Sequence, residues 1–356
     1  MKRKVATLGL GILVLAIVPS ARESKPHGQV VQITVHGASL EQNHVKDSPD
    51  RAVSIYLPPD YDSGTRRYPV LYLLHGYTGN DRGWMNPAYV GLPEIMDRLL
   101  QRHVIEPMVM VMPNSFNRFG GSFYANSVLS GNWEDFIVRD LVGYIDAHYR
   151  TIAQAGSRGI TGHSMGGYGA LRLGMDHPEV FSAAYGMSPC CSYWDEPVDR
   201  EDAVKAQRAK NLGEVFQAGM GPQTELALAA AFSPDLSNPQ FGVDWPFDAK
   251  GQPVPAIIAK WKTNMLDAVT ARYAAGALRL HAMGFDVGRQ DENPDILTGA
   301  GKLDQEMTTL NIAHEYSEYN GTHSSGIAKR MEDVVLPFMS KALSGANGAT
   351  KATGFH

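Results

Sequence analysis

The sequence predicts an α/β fold in which a mostly parallel β-sheet carries helices on both faces. Three observations lead there. Val70-Leu71-Tyr72-Leu73-Leu74 and Met108-Val109-Met110-Val111-Met112 are unbroken apolar runs of strand length, as expected of strands buried on both faces. Segments between and after them place apolar residues at helical spacing. A glycine-flanked serine, Ser164, stands where a short strand gives way to such a helix.

Taken in order, the chain opens with Lys2, Arg3 and Lys4, an apolar run from Val5 to Val18, and small residues at Ser20 and Ala21. This is the layout of a secretory signal, so residues 1–21 are expected to be removed on export. The run is shorter than the roughly 20 residues a spanning helix needs, and no stable membrane insertion is expected. Val30 to Val35 and Ala52 to Leu57 alternate apolar and polar residues and flank a polar stretch, so they read as an early antiparallel pair. Gly159-Ile160-Thr161 and Ser182 to Met187 continue the buried strands. Helices are expected from about Asn132 to His148, where Trp133, Phe136, Ile137, Leu141, Tyr144 and Ile145 share a face, and from Met165 to Asp176, before Pro178.

Residues 191–275 break the rhythm with Pro- and Trp-containing pieces and read as an insertion, cap-like, within one domain spanning 22–343. Strands return at Gly284 to Val287 and Ala313 to Tyr319, followed by a helix from about Ser325 to Leu343. The Gly-, Ala- and Thr-rich tail 344–356 is expected to fray. With 37 acidic and 32 basic residues, the net charge of −5 argues against nucleic acid as a partner, which needs a clustered cationic surface. Two cysteines, Cys190 and Cys191, cannot staple a chain of this length. Being adjacent, they are too close for an unstrained disulfide and read as partly buried small residues. No grouping of His, Cys and Asp has zinc-like spacing, so neither metal nor cofactor is expected.

The chemistry concentrates at Gly162-His163-Ser164-Met165-Gly166. A serine on a sharp strand-to-helix turn projects its hydroxyl beyond the sheet, and the flanking glycines remove Cβ atoms that would clash there. The same turn aims the Met165 N–H and the helix N-terminus at developing negative charge. A hydroxyl is a weak nucleophile without a base and a group to orient that base, and on such a turn the acid and then the histidine follow the serine. His323, in Asn320-Gly321-Thr322-His323 between the last strand and last helix, is the best-placed base. His163, His281 and His314 are poorer choices. Asp291, just past a strand, is the preferred acid, with Asp286, Glu292 and Asp295 as competitors. The turn after the central strand, His75-Gly76-Tyr77, is expected to offer the Tyr77 N–H as a second oxyanion donor, and Trp84 just beyond it is a candidate for the pocket wall. Trp194, Trp245 and Trp261 read as packing within the insertion rather than as a ligand platform. Asn320-Gly321-Thr322 matches a glycosylation sequon, but a glycan there would block the base.

Tyr68 to Gly76, Gly162 to Tyr168 and Gly321-Thr322-His323 together resemble the esterase D-type family of the α/β-hydrolases, which includes S-formylglutathione hydrolases, feruloyl esterases and secreted mycolyltransferases. The likeness covers most of residues 50–190 and returns from about 284 to 340. It implies an eight-stranded sheet, a Ser164–Asp291–His323 triad, an oxyanion hole of the Tyr77 and Met165 N–H groups, and a loop Gly120-Gly121-Ser122-Phe123-Tyr124 whose Phe123 and Tyr124 line the substrate pocket. The implied activity is hydrolysis of a carboxylic ester by an exported enzyme, on a small-molecule or polysaccharide-linked substrate such as a feruloyl or acetyl ester. Acyl transfer to a carbohydrate or lipid alcohol is the second expectation. A non-catalytic binding protein is the third, opposed by the intact serine, acid and histidine.

Overall fold

The computed structural model describes residues 27–194 and 199–349; the expected signal, residues 1–21, lies outside them. Among the described residues the main sheet has eight strands, β1 (Gln29–His36), β2 (Asp50–Leu57), β3 (Val70–Leu74), β4 (Val109–Pro113), β5 (Arg158–His163), β6 (Ala183–Met187), β7 (Ala282–Gly288) and β8 (Glu315–Tyr319). They form one sheet in the order β1-β2-β4-β3-β5-β6-β7-β8. β1 and β2 pair antiparallel, as do β2 and β4, and every other neighbouring pair is parallel.

β3 shows why a continuous apolar run serves here. Val70, Tyr72 and Leu74 join the core on one face with Trp133, Phe136 and Leu171. Leu71 and Leu73 join the core on the other face with Ile95, Met331 and Val335. Side chains alternate across a strand, so two buried faces demand apolar residues at both parities.

The expected helix over 132–148 is present as Trp133–Asp135, a π-helical Phe136–Leu141 and Val142–His148. The helix after Ser164 spans Met165–Asp176. The last helix runs through Ile327–Arg330 and Met331–Val335 into Leu336–Ala349, past Ser344, where composition predicts fraying. Two helices escaped the sequence reading, Leu92–Gln101 and Pro294–Thr309. The insertion folds as five helices among the described residues, of which Met220–Phe232 and Leu266–Ala275 matter most below. Trp261 is fully buried and donates to Ser233 Oγ at 2.8 Å, with Trp194 edge-on at 5.9 Å. Those tryptophans are packing residues, as expected.

The carboxyl ends of β3, β5, β6, β7 and β8 share one edge of the sheet, with Leu74 opposite Gly162 and His163 opposite Met187. Loops leaving that edge therefore converge, which is where open α/β sheets place their sites. Asp286 does not reach it. Its side chain is fully buried on β7, where it accepts from Arg330 Nη2 at 2.6 Å, Arg330 Nε at 2.9 Å and the Tyr185 hydroxyl at 2.9 Å. It pins the last helix to the sheet instead. Arg330→Met strands that carboxylate and should lower stability by about 3–5 kcal/mol. Asp286→Asn on top of it should recover part of the loss. Urea denaturation midpoints of the two variants check this.

Candidate active site

The turn at Ser164 is set by how closely the backbone packs around it. A Cβ on Gly166 would stand 2.1 Å from the Leu74 carbonyl oxygen, and one on Gly162 would stand 2.4 Å from the Gly166 carbonyl oxygen. Only glycine permits that approach. Ser164 itself is driven to φ 58°, ψ −120°, a conformation that costs a non-glycine residue about 1–3 kcal/mol. Two backbone bonds hold it: the Ser164 N–H donates to Met187 O at 2.9 Å, and the Tyr168 N–H donates to Ser164 O at 2.9 Å.

The hydroxyl so placed meets the ring predicted from sequence. His323 Nε2 is 2.9 Å from Ser164 Oγ, and His323 Nδ1 is 2.7 Å from Asp291 Oδ2. The Asp291 side chain is fully buried, and that of His323 is one-quarter exposed. Asp291 Oδ1 accepts the Asn293 N–H at 3.0 Å, so both carboxylate oxygens are engaged and the group cannot swing away. Of the acids weighed as competitors, Glu292 instead accepts the His323 backbone N–H at 2.9 Å. That bond, followed by one from Glu292's own backbone N–H, holds its carboxyl below the usual range. His314 is bound to Asp304 at 3.0 Å, away from the serine.

His163 has a task the sequence reading missed. It is buried beside the serine, and its Nε2–H donates to the His323 carbonyl oxygen at 2.7 Å, while Nδ1 accepts from the Tyr89 hydroxyl at 3.2 Å. It braces the loop that carries His323. Burial, with the nearby His323 ring adding to it, pushes its pKa down to about 3, so the ring stays neutral.

His75 does the same for the turn after β3. Its Nδ1–H donates to Gly76 O at 2.8 Å and its Nε2 accepts the Ser115 N–H at 2.8 Å. The Gly79 N–H also reaches Gly76 O, at 3.0 Å. Drawing that carbonyl inward turns the other end of the same planar peptide, the Tyr77 N–H, the opposite way. Among the described residues the Tyr77 N–H has no acceptor, and the Met165 N–H, first in its helix, has none within the helix. Tyr77 and Met165 both line the cavity that Ser164 opens into. Burial lowers the His75 pKa to about 4.

That cavity, about 730 Å³ in volume, is also lined by Trp84, Phe123, Leu228 and Ile296. Trp84 and Phe123 stand where the sequence reading puts them. Tyr124 does not. It is wholly buried and donates its hydroxyl to the His75 carbonyl oxygen at 2.8 Å, because its tight turn sends adjacent rings to different places. It supports the site from behind. Among the described residues no group of His, Cys, Asp and Glu could hold a metal ion, and no helix is long and apolar enough to cross a membrane.

Known proteins share this arrangement of elements. The profile of an esterase family, described as "Putative esterase", matches residues 48–327. The chain belongs to that family. An esterase of Mycobacterium tuberculosis (strain H37Rv) is 34% identical over 136 residues, 37% of this chain and 27% of that protein. The endo-1,4-beta-xylanase/feruloyl esterase of Xylanibacter ruminicola is 30% identical over 194 residues, 52% of this chain and 24% of that protein. The chain thus matches about a quarter of the length of these curated relatives. Among solved structures, a ferulic acid esterase superposes with a TM-score of 0.60 at 21% identity, covering 89% of this chain and 99% of that one. An S-formylglutathione hydrolase from Agrobacterium tumefaciens gives 0.60 at 17% identity, over 90% and 97% of the two chains. At these identities the likeness is one of fold, that of the α/β-hydrolases.

The two buried imidazoles of this esterase-family chain carry a pH signature. A histidine whose pKa is lowered by folding binds more protons in the unfolded chain, so its contribution to stability is lost as pH falls below about 6.5. For His163 the window extends to about 3, and for His75 to about 4. Each adds up to about 1.4 kcal/mol per pH unit to the slope. His163→Gln should flatten the fall in urea midpoint between pH 6.5 and pH 4 relative to the wild type.

Proposed function

We propose that this chain is a serine esterase that hydrolyses carboxylic esters through an acyl-enzyme. One observation carries the reading: an unbroken hydrogen-bonded chain from Ser164 through His323 to a buried Asp291, at the edge of the sheet where a cavity opens. In this reading Ser164 Oγ attacks the ester carbonyl as His323 Nε2 takes its proton. Asp291 holds Nδ1–H, keeps the productive tautomer and steadies the imidazolium. The oxyanion is received by the Tyr77 and Met165 N–H groups. His323 returns its proton to the departing alcohol, and water then releases the acyl group through the same base.

A cavity of about 730 Å³ is larger than an acetyl group requires. Its wall of Trp84, Phe123, Leu228 and Ile296 suits an aromatic acyl group such as a hydroxycinnamate. The feruloyl esterase among the relatives supports that choice, and the basic-then-apolar N-terminus supports export. Screening p-nitrophenyl esters of graded length alongside methyl ferulate tests the acyl preference, with methyl ferulate expected to give the highest kcat/KM. Free acid as the product distinguishes hydrolysis from acyl transfer.

Ser164→Ala and His323→Ala should each lower kcat about 10⁶-fold, and Asp291→Asn about 10⁴-fold by favouring the wrong tautomer. Fluorophosphonate labelling, stoichiometric in the wild type, should vanish in Ser164→Ala. His75→Leu frees the Gly76 carbonyl and lets the Tyr77 N–H wander. Its kcat should fall about 10²–10³-fold, the usual effect of losing one oxyanion donor, with KM little changed. Steady-state kinetics on one ester read all four variants.

A further inference from the structure

The loop that leaves β6 carries two adjacent cysteines into the wall of the cavity that Ser164 faces. Cys191 is fully buried and Cys190 half-buried, and their Sγ atoms stand 3.1 Å apart. Both line the cavity with Ser164 and His323. Neighbouring side chains on an extended strand point to opposite sides; here Cys191 has φ 60°, and the turn brings the two sulfurs together. The loop is tied at both ends. The Ser188 N–H donates to Asp286 O at 2.8 Å, and the Leu266 N–H donates to Cys191 O at 3.0 Å.

We propose that Cys190 and Cys191 form a redox modification site in the substrate cavity. A disulfide oxidant of the glutathione class converts the dithiol to a vicinal disulfide, and this changes how the cavity holds an ester. That the occupant is an ester rests on the reading of the chain as an esterase; the thiol chemistry does not. Cys190, the accessible member, attacks the oxidant as its thiolate. The oxidant's S–S bond breaks, a mixed disulfide forms on Cys190, and one glutathione leaves and takes up a proton. Cys191 then gives up its proton and attacks the Cys190 sulfur, expelling the second glutathione as a thiol. The cysteines lose two protons and two electrons, and the oxidant gains them.

Adjacent Cα atoms lie about 3.8 Å apart across a trans peptide, short of the roughly 4.4–6.8 Å usual for a disulfide. The resulting ring is strained and easily reduced, which makes the step reversible. Bringing the sulfurs from 3.1 Å to about 2.05 Å also pulls on the Cys191 carbonyl that anchors Leu266. The wall of the cavity shifts with it.

The test equilibrates the full chain in reduced and in oxidised glutathione, blocks remaining thiols with iodoacetamide, and measures both the peptide mass and steady-state kinetics on methyl ferulate and p-nitrophenyl acetate. Oxidation should leave a peptide lighter by two hydrogens, holding both cysteines unalkylated, and should change KM for methyl ferulate at least about threefold, with dithiothreitol reversing both. Cys190→Ala should have the same KM in both buffers, whereas Cys191→Ala, lacking the resolving thiol, should carry one glutathione on Cys190 in the oxidised buffer in place of the loss of two hydrogens. Phenylarsine oxide, which bridges paired thiols, should inhibit the wild type about tenfold or more, reversibly by dimercaptopropanol, and leave each variant unaffected. The proposal fails if the pair remains alkylatable in the oxidised buffer, if it pairs only between chains, or if it closes with KM unchanged. A reduced protein inactive on both esters overturns the esterase reading instead, and the peptide mass still decides the disulfide.

Discussion

The site depends on backbone atoms packed too closely for any side chain to intervene. Leu74 at the end of β3, Gly162 in β5 and Gly166 in the following helix meet with gaps that a single Cβ would close. The chain between the two glycines has room for one sharp turn, and Ser164 takes the strained conformation at its apex. Such strain persists only where surrounding structure over-determines it. Here the parallel pairing of β5 with β3 and β6 does so, holding His163 opposite Met187 and Gly162 opposite Leu74. The hydroxyl is thereby aimed by the sheet itself, without relying on its own rotamer alone.

Two neutral imidazoles carry that rigidity outward. His75 fixes the peptide after β3 and His163 fixes the loop that bears His323. An imidazole suits both places because, uncharged, it donates from one ring nitrogen and accepts at the other. Each ring here bonds at both nitrogens. A lysine or arginine could only donate, and would bring a charge into a space that excludes water. The burial that lowers their pKa values is what keeps them neutral and bifunctional. His323 differs in being partly open to the cavity and backed by a carboxylate. The three histidines therefore divide into two neutral braces and one ring open to the cavity, and the environment of each explains the difference.

Much of this was legible in the sequence because the constraints are local. Continuous apolar runs marked the sheet, and the two glycines around Ser164 marked the turn. Proximity to the last strand singled out His323. The preference for Asp291 over Asp286 rested on an offset of a few residues from β7, and the structure places Asp286 on Arg330, in the strand itself. What escaped detection was not local. Nothing near His163 or His75 in sequence reveals that they bond to His323 and Ser115, because those partners arrive by tertiary convergence. Tyr124 misled for a related reason: adjacent aromatic residues in a tight turn diverge, and only Phe123 faces the cavity. The helix Pro294–Thr309 begins just after Asp291, in Asp- and Asn-rich sequence that reads as loop.

The architecture also separates the bonds that align Ser164 from the wall of the cavity it faces. Among the described residues, the bonds that orient Ser164, His323 and Asp291 come from the carboxyl ends of the strands, the loops that leave them or the first turns beyond. None of these bonds comes from the helices between Arg200 and Lys262. Yet helix Met220–Phe232 supplies Met220, Thr224 and Leu228 to the cavity wall. Its middle is buried while Met220 at its start is largely exposed. Substitutions at that end can reshape the cavity without disturbing the hydrogen bonds that align the serine. The loop bearing Cys190 and Cys191 lies at the junction of the two regions, tied to Asp286 on the sheet and to Leu266 at the end of the insertion. A change there reaches the wall while leaving the elbow in place, since the elbow is held by the sheet and by glycines packed against Leu74 and His75.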